Sequence, residues 1–489
     1  MSGLHRRKFL RGALGAAGAA ATFHISGTKA GARILGANER FNIAIVGVGG
    51  RGRGHLGSFR QMKNVDVTWL VDADRRRISH GDVPNAKGTT DLREALDDKN
   101  LHAISVASPN HWHSLSVIWA AQAGKHCFVE KPASHDIYEG RVAFAAAKKY
   151  GVVVQHGTQQ RSDPAYADAI QAIHSGRYGK VAVAHAFTCK PRAGIRRRAP
   201  ETPPAWLDWK QWRGPAVIDQ YHGNLVHYNW HWFWPTGNGE VNNTGTHNID
   251  TALWGLDPGL TAPVRVMALG GRFVWNDHGN DHGETPNTLF AVAEYANGQK
   301  VFFNARNVNY DGYLHQIKND FYFTDGGRIV AETRQAPRIY VSPSGERERE
   351  RVQGERAEIT PGGNFGSFVV ACRAGKPEMA NGGMEVAHYS SLLGHVMNIS
   401  YRIGKKVPFN AKAGRFGDDK LAYEEFMKVH EIMRDGVGVP EDKAEYVVGP
   451  WLTFDPATER FTGEHADEAN KLVRDPRNEE FEIPTPETV

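Results

Sequence analysis

The stretch Phe41–Val46, Phe-Asn-Ile-Ala-Ile-Val, runs directly into Gly47-Val48-Gly49-Gly50-Arg51-Gly52. The first six residues have the apolar, β-branched composition of a buried strand, and the glycine-rich turn opens a helical pattern. A glycine turn between a strand and a helix points backbone N–H groups and the positive end of the helix at a phosphate. The pattern predicts that a dinucleotide pyrophosphate is bound by Gly47, Gly49, Gly50, Arg51 and Gly52.

An acidic residue, Asp72, ends the next apolar run, twenty residues after Gly52. A carboxylate at this position accepts hydrogen bonds from the ribose hydroxyls and repels a 2′-phosphate, which favours NAD. Arg75, Arg76 and Arg77 follow Asp72, and an arginine can bind a 2′-phosphate, so NADP stays open as the cofactor.

Short apolar runs alternate with helical patterns over residues 40–160. Strands are predicted at 41–46, 65–71, 102–107, 126–129 and 152–155, and the clearest helices at 114–123 and 136–150. Alternation of strands and helices is typical of an α/β fold with a doubly wound parallel sheet. We therefore predict a dinucleotide-binding Rossmann domain in this part of the chain.

The pattern changes over residues 161–410. A helix at Pro164–His174 and a strand at 181–187 precede four longer β-type runs at 264–274, 288–295, 300–308 and 320–324. Strands without intervening helices indicate a large, open, mainly antiparallel sheet, and helical patterns return at 364–373 and 385–403. Residues 411–489 are polar and are interpreted as an extended C-terminal tail, with a helix at 418–433.

Polar residues follow the third predicted strand in Ser108-Pro109-Asn110-His111-Trp112-His113. Ligands of this fold lie beyond the carboxyl ends of the strands, so Ser108, Asn110 and His113 are predicted to contact the cofactor. Asn110 also suits the N-cap of a helix, and both roles are compatible.

The fourth predicted strand ends in Val129-Glu130-Lys131-Pro132. Glu130 and Lys131 are predicted to lie in the cofactor crevice, where the Lys131 ammonium can polarise a hydroxyl or carbonyl oxygen and pass a proton. Burial of the amine would lower its pKa and help this role. The alternative is an ordinary surface turn.

These motifs together resemble the Gfo/Idh/MocA family of oxidoreductases, which includes inositol dehydrogenase. The resemblance rests on the order of four motifs: the glycine turn, Pro109-Asn110-x-x-His113, Glu130-Lys131-Pro132 and Gly245-x-His247-x-x-Asp250. It runs from about Arg40 to Asn410, and implies a second α/β domain whose open sheet forms the substrate floor and joins protomers in a homo-oligomer. The tail is similar to that of a subgroup of exported members.

The resemblance implies that His247 is the proton-transfer partner of Lys131. His247 and Asp250 lie three residues apart on a predicted helix and share a face, so Asp250 is expected to hold the imidazole tautomer. Many family members carry Asp four residues before this histidine, where this chain has Asn243. Asn243 can bind substrate but cannot take a proton. The alternative for His247 is a structural histidine packed under Trp254.

Arg161 is a predicted substrate contact. The aromatic stretch with Tyr228, His231, Trp232 and Trp234 is also predicted to bind substrate, because apolar sugar faces pack on aromatic rings. A buried aromatic cluster is the alternative for the rings. Asp277-His278 and Asp281-His282, in the predicted loop 277–284, have a metal-like appearance. A solvated turn is the preferred interpretation, so no metal is predicted.

The N-terminus carries Arg6-Arg7-Lys8 ahead of a small-residue, mildly apolar stretch, and Ala30-Gly31-Ala32 suits signal cleavage. We expect residues 1–32 to be a twin-arginine signal, and the mature protein to be periplasmic or otherwise exported. The chain has a formal charge of +5, but these 32 residues hold five basic side chains and no acid. A neutral mature protein gives no reason to expect nucleic acid, and no later segment is apolar enough to span a membrane.

The sequence therefore predicts an NAD(P)-dependent oxidoreductase that moves a hydride between a sugar, glycoside or polyol alcohol and a tightly held nicotinamide. Two alternatives stay open. One is a redox-neutral glycosidase, lyase or epimerase that works through a transient keto-sugar. The other is a sugar-binding protein that keeps the nucleotide as a structural element.

Overall fold

The computed structural model describes residues 39–273, 280–308, 316–332, 338–340, 350–352 and 356–489. The predicted export signal at 1–32 and the pair Asp277-His278 lie outside the described residues. The described chain builds two sheets, one for each of the two predicted α/β domains. Within the described ranges, no helix combines the length and the apolar character that a bilayer crossing requires.

The first sheet is parallel throughout, in the order β3-β2-β1-β4-β5-β6. This is the predicted doubly wound Rossmann sheet, and the fold class is confirmed. Its strands are β1 (Phe41–Val46), β2 (Val65–Val71), β3 (Lys87–Thr89), β4 (Ala103–Val106), β5 (His126–Val129) and β6 (Val154–His156). Its helices are α1 (Gly50–Arg60), α2 (Leu92–Leu96), α3 (His113–Gln122) and α4 (Ile137–Tyr150).

Strand β1 shows why the run Ile43–Val46 is apolar without a break. Ile43 and Ile45 pack into the core on one side of the sheet, and Ala44 and Val46 pack into the core on the other side. A parallel sheet with helices on both faces buries every residue of its inner strands, so the alternation of polar and apolar residues disappears.

The second sheet contains twelve strands among the described residues and is mixed, because β7 and β10 are parallel and the other pairs are antiparallel. Its strands are β7 (Val181–Cys189), β8 (Arg265–Gly271), β9 (Thr288–Glu294), β10 (Lys300–Arg306), β11 (Gln316–Phe323), β12 (Arg328–Glu332), β13 (Arg338–Tyr340), β14 (Glu350–Arg351), β15 (Lys405–Pro408), β16 (Glu445–Val448), β17 (Leu452–Asp455) and β18 (Arg460–Thr462). The remaining helices are α5 (Pro164–His174), α6 (Trp209–Arg213), α7 (Gly239–Asn242), α8 (Gly245–Trp254), α9 (Gly363–Ala374), α10 (Met384–Arg402), α11 (Lys420–Glu431) and α12 (Ala466–Asn470).

The sheet is open, as predicted, and both faces of its central strands are covered by other parts of the chain. Val301 and Phe303 pack on one face against α8 and α10. Phe302, between them, points to the other face and packs with Phe409 and with Phe426 of α11. At these strands the second face is therefore covered by the chain's own residues 409–439.

Residues 411–489 are more than the extended tail of the sequence interpretation. The predicted helix is present as α11, and β16 pairs with β8 inside the second sheet. The end of the chain returns to the first domain, where Phe481 and Val489 are buried in the core. This segment therefore contacts both domains.

Candidate active site

A cleft of about 630 Å³ follows the carboxyl edge of the first sheet and reaches the second domain. It brings together predicted residues from six separate stretches of the chain. The predicted residues that line it are Gly47, Gly49, Gly50, Arg51, Asp72, Ser108, Asn110, His113, Glu130, Lys131, Tyr228, Asn243 and His247.

The glycine turn between β1 and α1 shapes one end of the cleft. Gly47 has φ +81°, and a Cβ there would lie 2.7 Å from the carbonyl oxygen of Ala107. A Cβ on Gly52 would collide with the carbonyl oxygen of Gly47. Side chains at these two positions would therefore push the turn away from the sheet edge. The bare backbone at the start of α1 is the cradle that a pyrophosphate requires.

Asp72 connects this turn to the end of β2. One carboxylate oxygen accepts the backbone N–H of Val48 at 2.7 Å, and the other accepts that of Asp74 at 2.8 Å. Burial raises the pKa of Asp72, although these two hydrogen bonds oppose the rise. Each oxygen keeps a second lone pair for a ribose hydroxyl.

The three arginines after Asp72 all have carboxylate partners. Arg75 pairs with Asp208 at 2.9 Å, and Arg76 and Arg77 lie 2.7 and 3.4 Å from Asp74. A guanidinium already neutralised in this way is a poorer site for a 2′-phosphate. The geometry agrees with NAD as the cofactor.

Two loops that follow neighbouring strands are joined by His113. Its two ring nitrogens lie 2.5 Å from the carbonyl oxygen of Pro132 and 2.8 Å from that of Ser108. Asn110 is buried and donates to Asn238 Oδ1 at 3.1 Å, which ties the same loop to the second domain. His113 and Asn110 therefore position the loops, whereas the buried Ser108 Oγ has no partner among the described residues.

Glu130 anchors the loop that carries Lys131. Its Oε1 accepts Arg51 Nε at 2.5 Å and lies 3.1 Å from His55 Nε2. Burial would raise the pKa of Glu130, but the hydrogen bond from His55 and the charge of Arg51 outweigh it and hold the pKa well below its ordinary value. Glu130 is thus a fixed negative charge beside the lysine.

Lys131 reaches across the cleft to the second domain. Its Nζ donates to the carbonyl oxygen of Asn243 at 2.7 Å and to Asn243 Oδ1 at 3.3 Å. An ammonium has three donors, so one N–H is left for a ligand. Burial lowers the pKa of Lys131, and the charges of Glu130 and Glu240 oppose that change.

His247 lies in the first turn of α8 and lines the same part of the cleft. Burial, and then the positive charge of Lys131, lower the pKa of His247 to about 3. The imidazole is therefore neutral near pH 7. Its Nδ1 has no hydrogen-bond partner among the described residues, and the same is true of Asn243 Nδ2.

Two predicted roles are corrected by one ion pair. Asp250 accepts Arg161 Nε at 2.9 Å and Nη2 at 3.0 Å, and it also accepts Ser390 Oγ at 2.6 Å. The Asp250 carboxylate is therefore directed at Arg161 and does not hold the tautomer of His247. Arg161 also lies over the ring of Trp254 at 4.5 Å, so it is occupied in the core and unsuited to bind substrate.

The aromatic residues divide between cleft and core. Tyr228 is 51% exposed at the cleft, and its hydroxyl accepts Arg192 Nη1 at 2.8 Å. Trp232 is instead buried in an aromatic cluster, and Trp234 packs against the core of the second domain. Neither tryptophan lines the cleft, so the prediction that these two residues bind substrate is wrong, and the buried aromatic cluster, which was the alternative, holds for Trp232.

The cleft also contains an aromatic pair beside Tyr228, of which His231, but not Trp230, was a candidate from the sequence. Trp230 and His231 line the cleft and stack at 3.6 Å between ring centroids. Trp212 and Gln211, from a stretch without periodicity, line it as well. The aromatic composition of this region was a usable signal, but nothing in the sequence shows which rings turn inwards.

In the predicted loop 277–284, the described residues Asp281 and His282 contact other side chains of the chain. Asp281 forms an ion pair with Arg272, and the His282 ring packs 4.4 Å from that of His222. Among the residues that the structure describes, no group of three His, Cys, Asp or Glu side chains is placed to hold a metal ion. Asp277 and His278 lie outside that part of the chain.

Comparison with known proteins agrees with this geometry. Residues 41–158 match the family GFO_IDH_MocA, "Oxidoreductase family, NAD-binding Rossmann fold", and residues 216–328 match the "GFO/IDH/MocA C-terminal domain". The two domains of the chain therefore match the two domain models of the GFO/IDH/MocA oxidoreductases, and the first is an NAD-binding Rossmann domain.

Several relatives are dehydrogenases of small polyols and sugars. The chain is 38% identical to a scyllo-inositol 2-dehydrogenase (NAD(+)) of Bacillus subtilis over 21% of its length and 30% of the relative. It is 29% identical to an inositol 2-dehydrogenase of Saccharopolyspora erythraea over 57% of its length and 70% of that relative. The chain spans 30–40% of the length of three of these relatives, a scyllo-inositol 2-dehydrogenase, an uncharacterized oxidoreductase and a levoglucosan dehydrogenase.

A solved structure of levoglucosan dehydrogenase, in complex with NADH and levoglucosan, superposes with a TM-score of 0.52 at 19% identity. The superposition covers 73% of this chain and 96% of that one. At 19% identity, this structural similarity shows a shared fold and no more.

Proposed function

We propose that this protein is an NAD-dependent oxidoreductase acting on a secondary alcohol of a sugar, glycoside or polyol. One observation carries the proposal. Lys131, Asn243 and His247 meet in a cleft that begins at the glycine turn, and Asn243 Nδ2 and His247 Nδ1 have no hydrogen-bond partner among the described residues. The names of relatives, which include inositol and levoglucosan dehydrogenases, support the substrate class.

The cradle at Gly47 and Gly52 and the carboxylate of Asp72 suit the pyrophosphate and a ribose of NAD. When bound, this cofactor supplies a carbon that accepts a hydride from the substrate or returns it. The chain's own residues handle the accompanying proton and the charge on the substrate oxygen.

Lys131 has its remaining N–H free to donate to that oxygen. A donor fixed by Asn243 at 2.7 Å is already oriented, so it stabilises the negative charge that develops as the alcohol is oxidised. His247 is neutral and has a free ring nitrogen, so it can accept the hydroxyl proton. In the reverse direction His247 returns the proton and Lys131 neutralises the oxygen.

The ring of Tyr228 provides an apolar surface at the same cleft. Arg192 fixes its hydroxyl, and Arg192 is itself held by Glu240 through two contacts of 3.0 and 2.9 Å. A fixed, half-exposed ring suits the apolar face of a sugar. Trp230 and His231 extend this surface towards Lys131.

The proposal includes export through the twin-arginine route. It is supported by Arg6-Arg7-Lys8, by the small residues before Arg33 and by the neutral charge of the chain without residues 1–32. Changing Arg6→Lys and Arg7→Lys together should retain the full-length precursor in the cytosol. Export of the double variant at the wild-type level would refute this route.

The activity is tested with purified protein loaded with NAD and a panel of sugars and polyols, by the absorbance of the reduced nicotinamide. The wild type should reduce the nucleotide with at least one member of the panel, and His247→Gln should do so about 10²-fold more slowly. A deuterium label on the reacting carbon should move to the nucleotide. Label found back on its original carbon in a cleaved or epimerised product would replace this function by a redox-neutral one.

A further inference from the structure

A segment of the second domain, residues 205–227, lies across the nucleotide end of the cleft; we name it the clasp. It pairs with the first domain through the backbone. Arg75 N donates to the carbonyl oxygen of Trp206 at 2.9 Å, and Asp208 N donates to that of Ala73 at 2.8 Å. These two bonds form an antiparallel bridge directly after the strand that ends at Asp72.

Asp208 strengthens this bridge with its side chain. The carboxylate accepts Arg75 Nη2 at 2.9 Å and Thr90 Oγ1 at 3.0 Å. Arg75 follows β2 and Thr90 follows β3, so one clasp residue holds the ends of two Rossmann strands.

Trp206 and His227 form the second attachment. The Arg76 guanidinium lies 3.8 Å above the Trp206 ring, and the Trp206 ring stacks on His227 at 5.4 Å. His227 Nε2 lies 3.3 Å from Asp74, the carboxylate that also binds Arg76. The four side chains form a closed circuit of contacts between the domains.

The inner surface of the clasp lines the cleft with Leu207, Gln211 and Trp212. These residues share the cleft with Gly49 and Asp72 of the first domain. We propose that the clasp is the second wall of the adenosine half of the nucleotide site, and that NAD leaves the protein only when the clasp opens. The proposal rests on NAD binding in the cleft and is independent of the sugar.

The clasp contacts then set the rate of nucleotide release. Weakening a contact raises the fraction of time for which the clasp is open, and the release rate rises in proportion. Binding of substrate at Lys131 is not involved, so release is measured without any sugar present.

The test uses the mature chain loaded with NADH, mixed rapidly with a large excess of NAD, and follows the loss of bound-NADH fluorescence. Trp206→Ala removes the stacking on both Arg76 and His227 and should speed release about tenfold. Asp208→Asn keeps the backbone bridge but removes the ion pair, and should speed release about threefold. Because Arg75 is half-exposed, added salt should also speed release from the wild type.

Arg265→Ala is the matched control, since Arg265 pairs with Glu294 at 3.0 Å and lies 4.3 Å over the Trp451 ring, outside the cleft. Its release rate should equal that of the wild type. Thermal unfolding of each variant shows whether it is folded, and Asp208→Asn with the salt series carries the test if Trp206→Ala does not fold. Release rates that are the same in the wild type, Asp208→Asn and high salt would overturn the proposal.

Discussion

The two ends of the cleft differ in how far the protein satisfies its own polar groups. At the nucleotide end, both oxygens of Asp72 accept backbone N–H groups, and Asp74 holds Arg76 and Arg77. At the reaction end, Asn243 Nδ2, His247 Nδ1 and the nearby Ser108 Oγ are buried and have no partner in the described chain.

The difference indicates two ways of building a site. Buried polar atoms are normally paired, and an unpaired one is unfavourable until a ligand supplies the partner. Under the proposed function, the nucleotide end is therefore formed before binding, whereas the substrate supplies the missing partners at the reaction end. Changes at the first end should alter affinity, and changes at the second should alter turnover.

The largest effect is expected at the reaction end. Lys131→Met keeps most of the side-chain length but removes the charge and the proton, so turnover should fall by about 10²–10⁴ while NAD still binds. Steady-state rates and NAD titration measure the two properties.

Lys125→Met is the matched control. Lys125 is also a buried lysine, and it donates to the carbonyl oxygens of Asp98 and Leu101 at the opposite edge of the sheet. A similar loss of turnover in both folded variants would show that burial of a lysine, and not its place in the cleft, is what matters.

The next effect concerns Asp250, which lies beside the reaction end but is fully paired. Asp250→Asn leaves Arg161 buried without its countercharge, so the free energy of unfolding should fall by about 3–5 kcal/mol. Urea denaturation measures it. Asp66→Asn, which weakens the exposed pair with Arg40, should cost at most about 1 kcal/mol.

Turnover of the folded Asp250→Asn protein then separates the two interpretations of this residue. If Asp250→Asn has wild-type stability but a hundredfold lower turnover, Asp250 acts as the partner of His247. A stability loss with turnover reduced less than tenfold would agree with the observed ion pair.

A smaller effect is expected at the nucleotide end. Asp72→Ala removes the acceptor for a ribose and for the Val48 N–H, so NAD affinity should weaken about tenfold to a hundredfold. NADP affinity should weaken less, because a repulsive charge is lost as well. Calorimetry with both nucleotides measures this, and an equal loss for both would mean that Asp72 acts only on the glycine turn.

The smallest effect near neutral pH comes from titration of Lys131. Burial lowers its pKa from the ordinary 10.5, and the charged form is the active one. Activity should therefore be full below this pKa and fall as the pH rises through it, with a midpoint of kcat/KM below 10.5. His247, with a pKa of about 3, should produce no acidic limb above about pH 4.

Glu240→Gln sharpens this test. Glu240 raises the pKa of Lys131, and its loss also leaves the Arg192 charge uncompensated. Both changes lower the pKa of Lys131, so the alkaline limb should move to lower pH. A limb that stays in place would assign the titration to another group.

Much of the first domain was predictable because its strands are buried on both faces. The run at Phe41–Val46 and the helix ended by Gly151 have strong local signals. Strand β3, Lys87–Thr89, was missed because this edge strand is short and largely exposed. Local sequence signals therefore predict strands that are completely buried, and they fail for a short, exposed strand at the edge of the sheet.

The site was predictable where residues follow strand ends and unpredictable where partners are distant. Lys131 and His247 were placed correctly in one cleft. The spacing of His247 and Asp250 correctly indicated one helix. The sequence did not show that the Asp250 carboxylate binds Arg161, which lies 89 residues away. The contact of Asp208 with Arg75 spans 133 residues and comes from a region without periodicity.

The covered face of the second sheet has a consequence for how the fold responds to dilution. A sheet face that is shielded by another molecule loses its cover when the protein concentration falls below the dissociation constant. Here Phe302 is shielded by Phe409 and Phe426 of the same chain. The local concentration of this cover is set by the connecting chain and is the same at every protein concentration. The core of the second domain should therefore persist in a single molecule at any dilution.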